Sequence, residues 1–329
     1  MSAAVKLHRL GIVESQDVVQ ELAEILLGLA TITGEHTAWG YHFPWQTRTG
    51  LIPRWEPNII CTTFAANALL DLHDLLPDPQ LVERAAGAAQ FILDQLYREV
   101  DDHESCFSYT TLETTEIHNA NLLGAALVTR VARVTGEKRM KEPAFRAIRY
   151  TVNRQHPAGS WDYGERDDPS QRWIDNFHTG FNLCALRVIG RYAGTDEFEP
   201  SVRLGFDFFL AHFFEPDGTP RYYHDCLYPL DIHSASQALI TLIELDDLDA
   251  GSREIARKVY TWVVKNMWNP RGFFFFQKHH WGTIRIPFMR WSQAWMLLSL
   301  ATYMEATEHR INQPETQNQK TETARGIPS

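Results

Sequence analysis

Asp175-Asn-Phe-His178-Thr-Gly-Phe-Asn-Leu-Cys-Ala-Leu-Arg-Val-Ile-Gly-Arg-Tyr192 opens on a capping acid and then runs apolar on nearly every side. A helix without a wide polar face must be buried, so His178 to Tyr192 belongs to an interior layer. Its neighbours in sequence differ: Glu142 to Arg154 before it and Glu199 to Phe213 after it each keep a charged face, which suits an outer layer. The alternation extends both ways. Ser15 to Ala30, Gln80 to Arg98 and Ser252 to Asn266 read as further outer helices; Thr62 to Leu72, His118 to Val134, His233 to Leu245 and Trp291 to Met304 read as further inner ones. Between each outer helix and the next inner one lies a loop with a turn and aromatics, as in Gly159-Ser-Trp161-Asp-Tyr163-Gly and Pro270-Arg-Gly-Phe273. This order predicts an all-α fold, an α/α toroid of about five to six helical hairpins with the long loops on one face. Five hairpins can be traced, and a sixth is not apparent.

The periodic segments run from about residue 15 to residue 306 with no Gly-, Pro- or Ser-rich linker, so residues 1–308 are read as a single domain. Residues 309–329 hold mostly Gln, Thr, Asn, Glu and Pro and are expected to form a disordered tail. A formal net charge of -10 with no basic run argues against a nucleic-acid partner. No apolar stretch approaches the roughly 20 residues of a membrane span, and Met1 to Gly11 lack the pattern of a secretory signal, so a cytoplasmic location is expected. The four cysteines, Cys61, Cys106, Cys184 and Cys226, have no CxxC spacing and read as reduced thiols.

Three inner helices begin on an acid followed two or three residues later by histidine: Glu116-Ile-His118, Asp175-Asn-Phe-His178 and Asp231-Ile-His233. An acid there caps a helix, a structural role that stabilises it by about 0.5–2 kcal/mol. Histidine is not a preferred N-terminal residue, because the helix dipole disfavours the imidazolium. Three at corresponding corners, spaced by about 55 to 60 residues, predict a shared cavity with acid–base chemistry. Tyr163 stands at the same corner and joins the candidate catalytic set. Trp39, Trp45, Trp55, Trp161, Trp173 and Trp281 lie in connectors, as packing or as platforms for sugar rings. Arg48, Arg54 and Arg290 precede or begin inner helices, where a guanidinium can clamp an anion. With Tyr109, Asp162, Asn176, Tyr223 and Trp291 they complete the expected binding set, and Glu113, Glu116 and Asp162 are further acids for a hydrolase. Asp225, Cys226, Asp231 and His233 match no closed zinc spacing, so no metal or cofactor is expected. Neither GxSxG, P-loop nor GxGxxG appears in its proper context.

Gln155-His-Pro-Ala-Gly159-Ser-Trp161 resembles the Gln-Trp repeats of the squalene-cyclase and prenyltransferase toroids. The rhythm of the chain is similar to that of the six-hairpin glycosidases, the N-acylglucosamine 2-epimerases and the toroid polysaccharide lyases. Asn176-Phe177-His178 looks like the Asn and His placement of uronate lyases. That resemblance implies that Asn176 neutralises a carboxylate and His178 removes a proton, with Tyr163 or Tyr223 as donor. The loop from Trp39 to Trp55 looks like that of toroid proteins encoded with bacterial surface-polysaccharide genes. The expectation is an enzyme acting on an acidic poly- or oligosaccharide, as lyase, epimerase or hydrolase. An isoprenoid-binding toroid, with a deep Phe- and Trp-lined cavity and a protonated Asp inside, and a glycan-binding protein without catalysis are the alternatives.

Overall fold

The computed structural model describes residues 1–46, 50–165 and 171–311. Eleven α-helices are present among them. The inner layer comprises α3 (Ile59–His73), α5 (His118–Thr135), α7 (Asn176–Ala193), α9 (Ile232–Glu244) and α11 (Trp295–Ile311), each packed on the next. The outer layer comprises α2 (Gln16–Gly28), α4 (Pro79–Phe91), α6 (Lys141–Val152), α8 (Glu199–His212) and α10 (Ser252–Asn266). One helix completes the circle. The short α1 (Ser2–Arg9) packs against both α11 and α3, and Lys6 forms an ion pair with Glu305 of α11. The toroid therefore has six inner positions, of which the sequence pattern shows five, because eight residues are too few for a helical period to register. At the other end, residues 309–311 continue α11 instead of starting the expected tail, and residues 312–329 lie outside the described residues.

Neighbouring loops are stitched together where the inner helices begin. The first N–H groups of a helix have no partner inside it. Here the N–H of Ile59 donates to the carbonyl of Tyr109, that of His118 to Tyr163, that of Asn176 to Tyr222 and that of Ile232 to Phe276, at 2.8–3.2 Å. Each acceptor is an aromatic of the following loop. Short β-bridges mark the same corners: Asn58 with Thr110, Ile117 with Gly164 and Asp175 with Tyr223, while Asp231 pairs with Gln277 in antiparallel register. The turn-and-aromatic loops thus form a belt around one face of the ring, which fixes the starts of α3, α5, α7 and α9 relative to each other.

The Gln155–Trp161 motif has a structural role. Gln155 Nε2 donates to the carbonyls of Gly159 and Ser201, and its Oε1 accepts from Ser201 Oγ at 2.6 Å. Trp161 is buried and its Nε1 donates to the Thr151 carbonyl at 3.0 Å. Together they tie the end of α6 to the start of α8. Close approach of inner helices explains their small residues: a methyl on Gly180 of α7 would lie 2.6 Å from Thr241 Oγ1 of α9. No described helix is long and apolar enough to cross a membrane.

Candidate functional site

A cavity of about 650 Å³ opens at the face where the inner helices begin. Its lining includes His178 and His233, together with Tyr41, His42, Tyr109, Asn119, Tyr163, Arg290 and Trp291.

His178 is the third residue of α7, and Asp175, the N-cap, holds it at two points. Asp175 Oδ1 accepts from the His178 backbone N–H at 2.9 Å, and Oδ2 lies 2.6 Å from His178 Nδ1. A carboxylate oxygen accepts, so Nδ1 carries the proton and Nε2 keeps a lone pair. Trp173 Nε1 also donates to Oδ2 at 2.8 Å. The imidazole rests against Tyr163, with ring centres 4.5 Å apart, and Tyr163 stacks on Trp173 at 4.4 Å.

His233 is the second residue of α9 and sits between two aromatic faces. Phe177 stacks on one side at 4.5 Å and Trp295 on the other at 4.8 Å. Burial pushes its pKa down to about 3, and positive charge on Arg290, or on His178 when protonated, acts in the same direction, so the ring is neutral near pH 7. Its Nε2 is buried without a hydrogen-bond partner. Such a group costs free energy unless a ligand or water meets it. Phe177 touches both imidazoles, so the two histidines flank a single aromatic ring.

Asp231 stands behind His233 and is absent from the lining. Its Oδ1 accepts from the N–H groups of His233 at 2.7 Å and Ser234 at 3.4 Å, and its Oδ2 accepts from Gln277 Nε2 at 2.6 Å. Burial raises its carboxyl to about 6, against the pull of these donors. The isoprenoid alternative asks for a protonated acid inside the cavity, and this is not one.

Arg290 lies in a π-helical turn, Met289–Ala294, ahead of α11, and its guanidinium covers the rings of Tyr41 and Trp291, both at 4.6 Å. Among the described residues no carboxylate is in ion-pair distance of it, and its Nη1 is buried without a partner. The Tyr109 phenol is driven well above its ordinary pKa by burial and remains protonated.

The remaining expected residues lie elsewhere. His118 is fully buried between Thr151 Oγ1, at 3.2 Å, and Glu165, at 3.0 Å, and does not line the cavity. Glu116 accepts from the Tyr150 hydroxyl at 2.8 Å, away from the lining. Of the three expected histidines two line the cavity, and His42 is a further imidazole in the lining. Trp161 is buried in the α6–α8 tie, Asp162 approaches His156 at 3.7 Å, and Arg54 is exposed outside the lining. Tyr223 packs on Tyr222 and is bridged to Asp175. Asn176 is fully buried with both amide side-chain atoms unpartnered, and it does not line the cavity. Arg48 lies outside the described residues. Sequence reasoning missed Tyr41, His42, Asn119 and Gln277. The first two stand in the aromatic loop it had flagged; Gln277 reaches Asp231 across 46 residues, which no local signal reveals.

Acid titration tests the state of His233. Above pH 6.5 the imidazole is neutral in both folded and unfolded chains. As the pH falls from 6.5 toward 3, the unfolded chain takes up a proton that the folded chain refuses, so stability is lost at on the order of 1 kcal/mol per pH unit. Asp231 acts oppositely, since a carboxyl raised from 3.8 to about 6 is protonated first in the folded chain and adds stability as the pH falls through that window. His233→Phe removes the first effect and keeps the second. Urea denaturation should show the variant gaining on the natural protein as the pH is lowered from 6.5; parallel curves would mean that His233 accepts a proton inside the folded protein.

No family model matches this sequence, and no curated protein does. Solved structures match in fold. A cellobiose 2-epimerase from Bacillus thermoamylovorans superposes with a TM-score of 0.70 at 11% identity, over 93% of this chain and 85% of that one. A GH76 α-mannanase from Bacteroides thetaiotaomicron gives 0.67 at 12%, over 95% and 85%. The unsaturated glucuronyl hydrolase of Bacillus sp. GL1 gives 0.58 at 13%, over 76% and 73%. At such identities the likeness speaks for architecture: the chain has the α/α-toroid fold of these sugar epimerases and glycoside hydrolases.

Proposed function

We propose that the cavity is the active site of a sugar epimerase or isomerase that moves a proton at the carbon beside a carbonyl. The observation that carries this reading is a cavity lined by His178 and His233, two imidazoles in unlike settings, with His42 also in a described lining that contains no Asp or Glu. A glycoside hydrolase needs two carboxylates at the scissile bond, about 5–9.5 Å apart. Proton transfer needs a base on one face of the carbon and an acid on the other, and histidine serves both near neutral pH. His178, oriented by Asp175, is the base through Nε2. His233, neutral before substrate binds, takes a proton from water as negative charge develops on the substrate beside it, and returns that proton to the carbon on the other side. Arg290 stabilises the enediolate oxygen that develops as the proton leaves, supported by the Tyr109 hydroxyl. Aromatic walls from Trp291, Trp295 and Tyr163 suit the apolar faces of a sugar ring. A cellobiose 2-epimerase stands among the fold neighbours.

The lack of a described counter-charge at Arg290 favours a second reading, in which the sugar is acidic and the guanidinium holds its carboxylate. Proton removal beside that carboxylate would then lead to elimination. One experiment separates them. Reducing sugars and uronate glycans are incubated in heavy water and followed by NMR and by the ultraviolet absorbance of an unsaturated uronate. Deuterium beside the carbonyl, lost in His178→Asn and His233→Asn, is the expected result. Absorbance without deuterium would favour elimination, and neither signal across the panel would sink both.

A further inference from the structure

The cavity is chemically lopsided. The helix starts of α5, α7 and α9 supply Asn119, His178 and His233, whereas the opposite side is formed by α2, α3 and α11 through Leu22, Ile25, Leu29, Ala65, Ala68 and Leu298. On α2 the residues fall at helical spacing on one stripe, and on α3 the wall continues to Ala68, about 13 Å beyond Ile59 along the axis. The cause is visible in the ring. Its inner position here is filled by α1, of 8 residues against 18 in α5 and α7, so an outer helix, α2, becomes part of the wall.

This apolar arm is not closed off. Ile25 is 52% exposed and Leu29 45%, although both line the cavity. Apolar surface left open and continuous with a polar site marks a place where a ligand completes the burial. A sugar ring alone does not suit the arm, because its hydroxyls would lose water there and meet chiefly apolar side chains, the polar groups that α1 and α3 bring to the lining being the Met1 amine, Ser2 and Cys61.

We propose that the substrate is an amphiphile: a sugar whose reacting end lies at His178 and His233 and which carries an alkyl or acyl chain seated along α2, α3 and α11. The proposal rests on the reading of the histidine end as a sugar site. Its recognition is additive. Each methylene that enters the arm tightens binding by about twofold to fourfold, while the histidines see the same sugar throughout.

The test uses the full chain and a series of glucose esters of acetic, butyric, hexanoic and octanoic acid on the primary hydroxyl, which leaves the reducing end free. Affinity is measured by calorimetry and proton exchange by NMR in heavy water. The expected result is an affinity that climbs with chain length in the natural protein and is flat in an Ile25→Gln/Leu29→Gln variant, whose altered side chains are already exposed and do not threaten folding. An affinity independent of chain length in the natural protein overturns the proposal, as does a slope that survives unchanged in the variant. If the exposed stripe is instead a face between two copies, the same variant shifts sedimentation from dimer to monomer and the length dependence is absent, which also overturns it. Failure of the epimerase reading looks different: no deuterium enters any ester or free glucose, whatever the affinities do.

Discussion

Asp175→Asn is expected to slow proton exchange by about a hundredfold to ten-thousandfold with substrate affinity nearly unchanged, and to lower the melting temperature because the amide nitrogen also faces the Trp173 Nε1–H that Oδ2 accepts. Asparagine caps helices about as well as aspartate, so the start of α7 survives the change. The cap requires an oxygen where Oδ1 receives the His178 N–H. The amide nitrogen must then occupy the Oδ2 position, 2.6 Å from His178 Nδ1 in the natural protein. A donor there demands the other tautomer, with the proton on Nε2, and the base loses its lone pair. Rates of deuterium incorporation, with kcat and KM resolved separately, check this. Unaltered exchange in Asp175→Asn would reduce Asp175 to a cap and remove His178 from its role as base.

Gly159→Ala should cost about 3 kcal/mol or more of folding free energy. Gly159 has a φ of 101°, outside the range that side chains tolerate, and a methyl there would lie 2.2 Å from the backbone carbonyl oxygen of Leu204 in α8. Backbone does not yield as a flexible side chain would. Gly136, at the end of α5, provides the comparison: its φ is 78° but an added methyl meets nothing within 4 Å. Gly136→Ala should lose only roughly 1–2 kcal/mol, the cost of the left-handed conformation itself. Urea unfolding of both variants tests the difference, and equal losses would show that the tie between α6 and α8 relaxes freely.

The architecture was legible because burial has a signature. Helices apolar all round alternate with helices charged on one side, and only an inner and outer layer reconcile the two. What escaped was α1, too short to display a period, and the start of α3 at Ile59, three residues ahead of the expected Thr62, where Asn58 caps the helix. The site was legible in part for a geometric reason. The acid-to-histidine pattern repeats in sequence, yet His118 is the first residue of its helix, His233 the second and His178 the third. Each step turns a side chain by about 100° around the axis. Two of these orientations meet the cavity and the third points His118 toward Thr151 and Glu165. Similarly, Trp161 and Tyr163 share one loop, but only the tyrosine reaches the lining. Spacing in the sequence identifies the corner, and the count from the cap decides the direction.

The seam between the first and last helices has a consequence for how the molecule comes into being. Lys6 and Glu305 meet although 299 positions separate them. Contacts of such range are the slowest to form, because the chain entropy of bringing distant segments together must be overcome before they give anything back. Hairpins in the middle can settle as they leave the ribosome, but the vestibule that α1 and α11 share must wait until almost the whole polypeptide has been made. The cavity is thus the last region to mature, and a prematurely truncated product would carry most of the scaffold with that chamber unsealed.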